Sequence, residues 1–114
     1  MEQKKNSLGS LNGSDKRDYI LKPSQFFLEQ TDELSDKAAS IIEDKLRLLK
    51  INPFRFKRIE GYDLFLFRIR FEDNRKEKRV IYLVDRPNVE ILCILDRDKE
   101  YNDLKKYLKR LGYL

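Results

Sequence analysis

The hydrophobic and polar positions change their period twice along the chain, and the changes divide it into elements. Tyr19-Ile20-Leu21 is a short β-prone run that ends at Pro23, a residue suited to the first turn of a helix. Residues 24–33 then read as a short helix presenting Phe26, Phe27 and Gln30. A second helix starts at the N-cap candidate Ser35 and runs to about Lys50, with apolar residues at Ala38, Ile41, Ile42, Leu46 and Leu49 in helical spacing. Asn52-Pro53 stops it.

Beyond residue 54 the period drops to two. Phe65, Phe67, Ile69 and Phe71 fall on one face of a strand within residues 62–71, and Arg68 and Arg70 on the other. Residues 72–77 form a charged turn. Residues 78–84 and 89–95 are two further strands joined by the turn Asp85-Arg86-Pro87-Asn88. Helical spacing returns at Leu104, Tyr107, Leu108 and Leu111, and Gly112 follows as a C-cap signal.

The order β-α-α-β-β-β-α predicts an α+β fold. Three consecutive strands make an antiparallel meander, the first short strand joins an edge, and a helical hairpin packs on one face with a further helix at the C-terminal end. Residues 1–17 are polar and without apolar period, so they read as a flexible N-terminal tail before one domain spanning 18–114. A chain of 114 residues has room for one such domain.

Composition sharpens this picture in one respect. Charged residues reach 39% against 40% hydrophobic, and the formal net charge is +5. The charge is unevenly distributed: residues 24–50 hold four Lys/Arg against six Asp/Glu, a net of −2, whereas residues 55–79 hold nine against five, a net of +4. The strand region is therefore the basic one, which suits either a polyanion such as RNA or an ordinary solvated surface. The lone Cys93 lies in the run Ile91-Leu92-Cys93-Ile94-Leu95, excludes an internal disulfide framework and reads as a buried small hydrophobe. That usage fits a reduced, cytoplasmic compartment. No apolar stretch approaches the length of a membrane span, and the N-terminus has no hydrophobic signal core. With no His, one Cys and no carboxylates at ligand spacing, neither a metal nor another cofactor is expected.

Candidate chemistry lies in the arginines. Arg68 and Arg70 share a face, Arg79 opens the next strand and Arg97 closes the one after, so a meander brings guanidinium groups from separate strands onto one surface. The planar fork of arginine matches phosphate oxygens. Tyr101, four residues after Arg97, has a ring for base stacking and a hydroxyl for donation. The same pattern also describes the solvent side of a half-covered sheet, with Tyr101 filling the core.

The element order, Asn52-Pro53 followed by Lys57-Arg58-Ile59-Glu60-Gly61, the strand Phe67-Arg68-Ile69-Arg70-Phe71, Lys78-Arg79-Val80-Ile81-Tyr82, and Ile94-Leu95-Asp96-Arg97-Asp98-Lys99-Glu100-Tyr101 together resemble the RelE/ParE toxins of toxin–antitoxin modules. The resemblance runs from Tyr19 to Leu111. It implies a ribosome-dependent endoribonuclease that cuts mRNA in the A site by attack of a 2′-hydroxyl on the neighbouring phosphate, silenced by a cognate antitoxin that covers the basic face or displaces the last helix. It assigns catalysis to Arg68, Arg70, Arg79, Arg97 and Tyr101; the basic residues Lys57, Arg58, Arg75 and Lys78 are expected to contact RNA. Where relatives carry lysine this chain has arginine, which does not deprotonate at useful pH. Where many carry histidine it has Asp96, either a base or a partner of Arg97. ParE-like inhibition of DNA gyrase, and a degenerate member that binds RNA or a partner without cutting, are the alternatives within the same fold; the joint presence of the arginines and Tyr101 favours the ribonuclease.

Overall fold

The structure, a computed structural model, describes residues 19–97 and 100–114, with the side chains of Glu100 and Tyr101 excluded; the expected tail lies outside the described residues. The elements are β1 (Ile20–Pro23), α1 (Gln25–Thr31), α2 (Asp36–Leu48), β2 (Lys57–Arg58), β3 (Leu66–Asp73), β4 (Lys76–Asp85), β5 (Asn88–Asp96) and α3 (Glu100–Arg110). The strands form one sheet in the order β1-β5-β4-β3-β2. The meander β3-β4-β5 is antiparallel as expected, and the edge strand β1 joins β5 in parallel, which makes the sheet mixed.

Both hairpin helices start on serine. The Ser24 hydroxyl oxygen accepts from Phe27 N at 3.0 Å and that of Ser35 from Ala38 N at 3.1 Å, each satisfying an amide that the first helical turn leaves unpaired. Ser24 thus caps α1, and Pro23 ends β1 instead of opening the helix. On α2 the stripe Ala38, Ile42, Leu46 and Leu49 faces inward as expected, joined by Ala39, whereas Ile41 lies off the stripe and is exposed.

The sheet is covered on both faces. One core, between the sheet and the α1–α2 hairpin, includes Phe27, Ile42, Leu46, Phe67, Ile69, Val80, Tyr82 and Ile94. A second, on the other face, includes Leu66, Ile81, Leu83, Cys93 and Leu95 with Leu104 and Leu108 of α3. Burial on both faces explains the near-continuous apolar runs of β4 and β5. Phe65 precedes β3 and is 53% exposed, so the expected alternation begins at Phe67.

Tyr82 is fully buried, stacks on Phe67 with ring centroids 5.4 Å apart, and donates its hydroxyl to Pro53 O at 2.7 Å. That bond anchors the long connection leaving α2. Tyr82→Phe keeps the ring and strands the carbonyl; we expect a loss of about 1–2 kcal/mol, read as a lower midpoint in urea unfolding with an unchanged slope.

The edge beyond β1 is closed by side chains. Ser24 Oγ donates to Leu92 O at 2.7 Å, and the Gln30 amide both donates to Ile94 O at 2.8 Å and accepts from Ile94 N at 2.6 Å. Gln30 therefore continues the edge pairing of β5 after β1 has ended, an interaction that requires a side-chain donor and acceptor together.

Candidate functional site

The β3–β4 hairpin sets the site. Asn74 and Arg75 both take positive φ, 52° and 67°, in a two-residue turn whose twist suits tightly paired strands. The expected charged turn over 72–77 is thus shorter, and both strands run further. The register then pairs Arg70 with Arg79 and Glu72 with Glu77. Alternation puts Arg70, Arg79 and Glu77 on one face, and Arg79 lies opposite Leu95 of β5, so Arg97 emerges on that face too.

These side chains converge. Glu77 Oε2 lies 3.2 Å from Arg79 Nη2 and 3.7 Å from Arg70 Nε, and Glu77 Oε1 lies 3.5 Å from Arg97 Nη1. One carboxylate thereby gathers guanidinium groups from β3, β4 and the end of β5. The arginines differ in exposure: the Arg79 side chain is 5% exposed, Arg70 62% and Arg97 65%. Arg68, opposite Ile81, sits on the same face one step nearer the core under α3, and Lys57 of β2 is its cross-strand partner. A groove of about 470 Å³ beside the cluster is lined by Glu72, Arg75, Lys76, Glu77, Asp96 and Arg97.

No protein-family model and no curated protein matches the sequence. Among solved structures, the toxin RelE of Escherichia coli, as an arginine double mutant in the free state, matches with a TM-score of 0.67, covering 82% of this chain and 98% of that chain at 15% identity. The chain has the RelE toxin fold.

Within this RelE-like frame the expected site residues divide. Arg70, Arg79 and Arg97 meet, and Arg68 and Lys57 share their face. Arg75 lines the neighbouring groove. Tyr101 lies in the first turn of α3, with its side chain outside the described residues. Lys78 does not join: it alternates with Arg79 and donates from Nζ to Asp96 Oδ1 at 2.8 Å, the pair facing each other across β4 and β5. Asp96 is accordingly the acceptor of an ion pair with Lys78, and it also borders the groove that Glu77 and Arg97 line. Arg58 is turned to Phe65, its guanidinium 4.5 Å from the ring centroid, and donates to Leu64 O at 3.4 Å.

Glu77 falls within the charged segment that the sequence predicts as a turn, and only the register of β3 and β4 gives it a place among the arginines. Its hydrogen bond from Arg79, partly opposed by burial and reinforced by the charges of Arg97 and Arg70, holds its carboxyl below the ordinary carboxylate value. The folded value is the lower one, so this contribution to stability is full above the ordinary pKa and is lost as pH falls through the lowered one. We expect the Glu77 carboxyl carbon, followed by NMR, to titrate below the ordinary value in the native protein and to return toward it in Arg97→Ala; an unmoved titration would contradict the pairing.

Cys93 is buried in the second core and its thiol is pushed up to about 12 by that burial and by the charge of Asp103, the opposite of an activated nucleophile. Among the described residues no group of three His, Cys, Asp or Glu stands together as a metal site, and no helix is long and apolar enough to cross a membrane.

Proposed function

We propose that this chain is the toxin of a toxin–antitoxin module: a ribosome-dependent endoribonuclease that cuts mRNA in the A site. The observation that supports it is the convergence of Arg70 of β3, Arg79 of β4 and Arg97 just after β5 onto one anion, Glu77, on a RelE-like fold. The reaction is attack of a 2′-oxygen on the adjacent phosphorus, with departure of the 5′-oxygen of the next nucleotide; the 2′-hydroxyl gives its proton to water and the departing 5′-oxygen takes one from water. It leaves a 2′,3′-cyclic phosphate and a 5′-hydroxyl. Negative charge grows on the non-bridging oxygens and the leaving oxygen, and three gathered guanidinium groups stabilise that charge more than the ground state. Arginine remains protonated throughout, so these residues bind and stabilise without moving the proton. Arg68 and Lys57 extend the cationic face for neighbouring phosphates.

The partners in this reading are the ribosome with its mRNA and a cognate antitoxin, in the cytoplasm. The antitoxin masks the arginine face or displaces α3, whose removal would expose Leu66, Ile81 and Leu95. Mapping mRNA 5′ ends in a translating extract after adding the protein tests the proposal. Cuts phased to the A-site codon support it. Folded protein that leaves the mRNA whole, while still binding it, would mark a degenerate RNA-binding member, and inhibition of DNA gyrase would place it with ParE-like toxins.

A further inference from the structure

Glu77 stands where an incoming phosphate would have to sit. Its two oxygens are divided among three cations, Oε2 toward Arg79 and Arg70 and Oε1 toward Arg97. A phosphodiester offers the same charge and a similar pair of oxygens. Without any anion, three neighbouring guanidinium groups would repel one another. Yet the hold is loose: all three contacts, at 3.2–3.7 Å, are longer than the roughly 2.7–2.9 Å of strong charge-assisted pairs. Glu72 lies directly opposite Glu77 in the register, a like charge that opposes a tighter seat. The Glu77 side chain is 29% exposed and borders the 470 Å³ groove, so it has open space into which to turn.

We propose that Glu77 is a built-in substitute for a phosphodiester: it keeps Arg70, Arg79 and Arg97 gathered when no nucleic acid is bound, and an RNA phosphate displaces it to engage them. The inference rests on the RNA-cleaving reading above and adds to it a residue that sets affinity. Glu77 lowers the affinity of the site for RNA while preserving its geometry, so that only a phosphate presented with further contacts displaces it.

The test is binding of a fluorescent 2′-O-methyl RNA hexamer, which lacks the attacking hydroxyl, to the full chain at low salt, followed by anisotropy. Glu77→Gln preserves size and removes the competing charge; Glu77→Ala removes both. Each is expected to bind the hexamer about tenfold more tightly than the native protein, the scale of one competing charge at a partly exposed cluster. Arg97→Ala is expected to bind more weakly, alone and combined with Glu77→Gln. If Arg97→Ala weakens binding but neither Glu77 variant gains, the substitute role is overturned and the RNA-binding reading stands. If Arg97→Ala binds as well as the native protein, the arginine cluster is not the RNA site and both fall.

Discussion

Arg97→Ala is expected to lower mRNA cleavage by about 10²–10³-fold while leaving thermal unfolding almost unmoved. The asymmetry follows from exposure. The Arg97 side chain is 65% exposed and its ion pair is with Glu77 at 3.5 Å. Exposed pairs of this kind contribute about 0–1 kcal/mol, so the fold loses little. In the proposed reaction the same guanidinium would stabilise charge that exists only as the bond breaks, and its loss would appear fully in the rate. Arg79 makes an instructive contrast. Its side chain is 5% exposed, so Arg79→Ala removes packing and an ion pair within the sheet as well as a charge that the proposed reaction would use. Loss of activity there mixes two causes, whereas loss in Arg97→Ala has one. The measurements are the initial rate of A-site cutting and the unfolding midpoint of the same preparation. A rate within threefold of native with an intact fold would remove Arg97 from the site.

Gln30→Ala is expected to lower stability by about 2–4 kcal/mol, a large effect for an amide on a short helix. Gln30 alone supplies both the donor for Ile94 O and the acceptor for Ile94 N. Its removal leaves two backbone groups of a buried residue to find water at the edge of β5. Gln30→Glu separates the two bonds: the carboxylate still accepts from the amide but faces the carbonyl with no donor, so it should also destabilise at neutral pH. Urea unfolding of both variants and hydrogen exchange at the Ile94 amide read the effect. Changes below about 0.5 kcal/mol in both, with the amide still protected, would show that the edge pairing carries no weight.

Much of this arrangement is legible in the residues. The period-two run at Phe67-Arg68-Ile69-Arg70-Phe71, the serine caps and the turn Asp85-Arg86-Pro87-Asn88 specify the meander and the hairpin through local rules. The arginine face follows from the same alternation. Alternation also sets Lys78 on the face opposite Arg79, since adjacent strand residues point to opposite faces. The tight turn at Asn74-Arg75 was less visible because it places an arginine, not a glycine, in the left-handed region. Without that turn Glu77 has no register, and without a register it has no place among the arginines. The two-residue β2 and the Gln30 pairing depend wholly on tertiary neighbours, which no local pattern encodes.

The proposed ribosome-dependent cleavage is tested most directly with purified ribosomes programmed with a defined mRNA and an empty A site. Added protein should cut within the A-site codon, leaving a 2′,3′-cyclic phosphate and a 5′-hydroxyl, and should leave the same mRNA uncut when ribosomes are omitted. Intact mRNA on the ribosome in the presence of folded protein, or equal cutting of free and ribosome-bound mRNA, would contradict it.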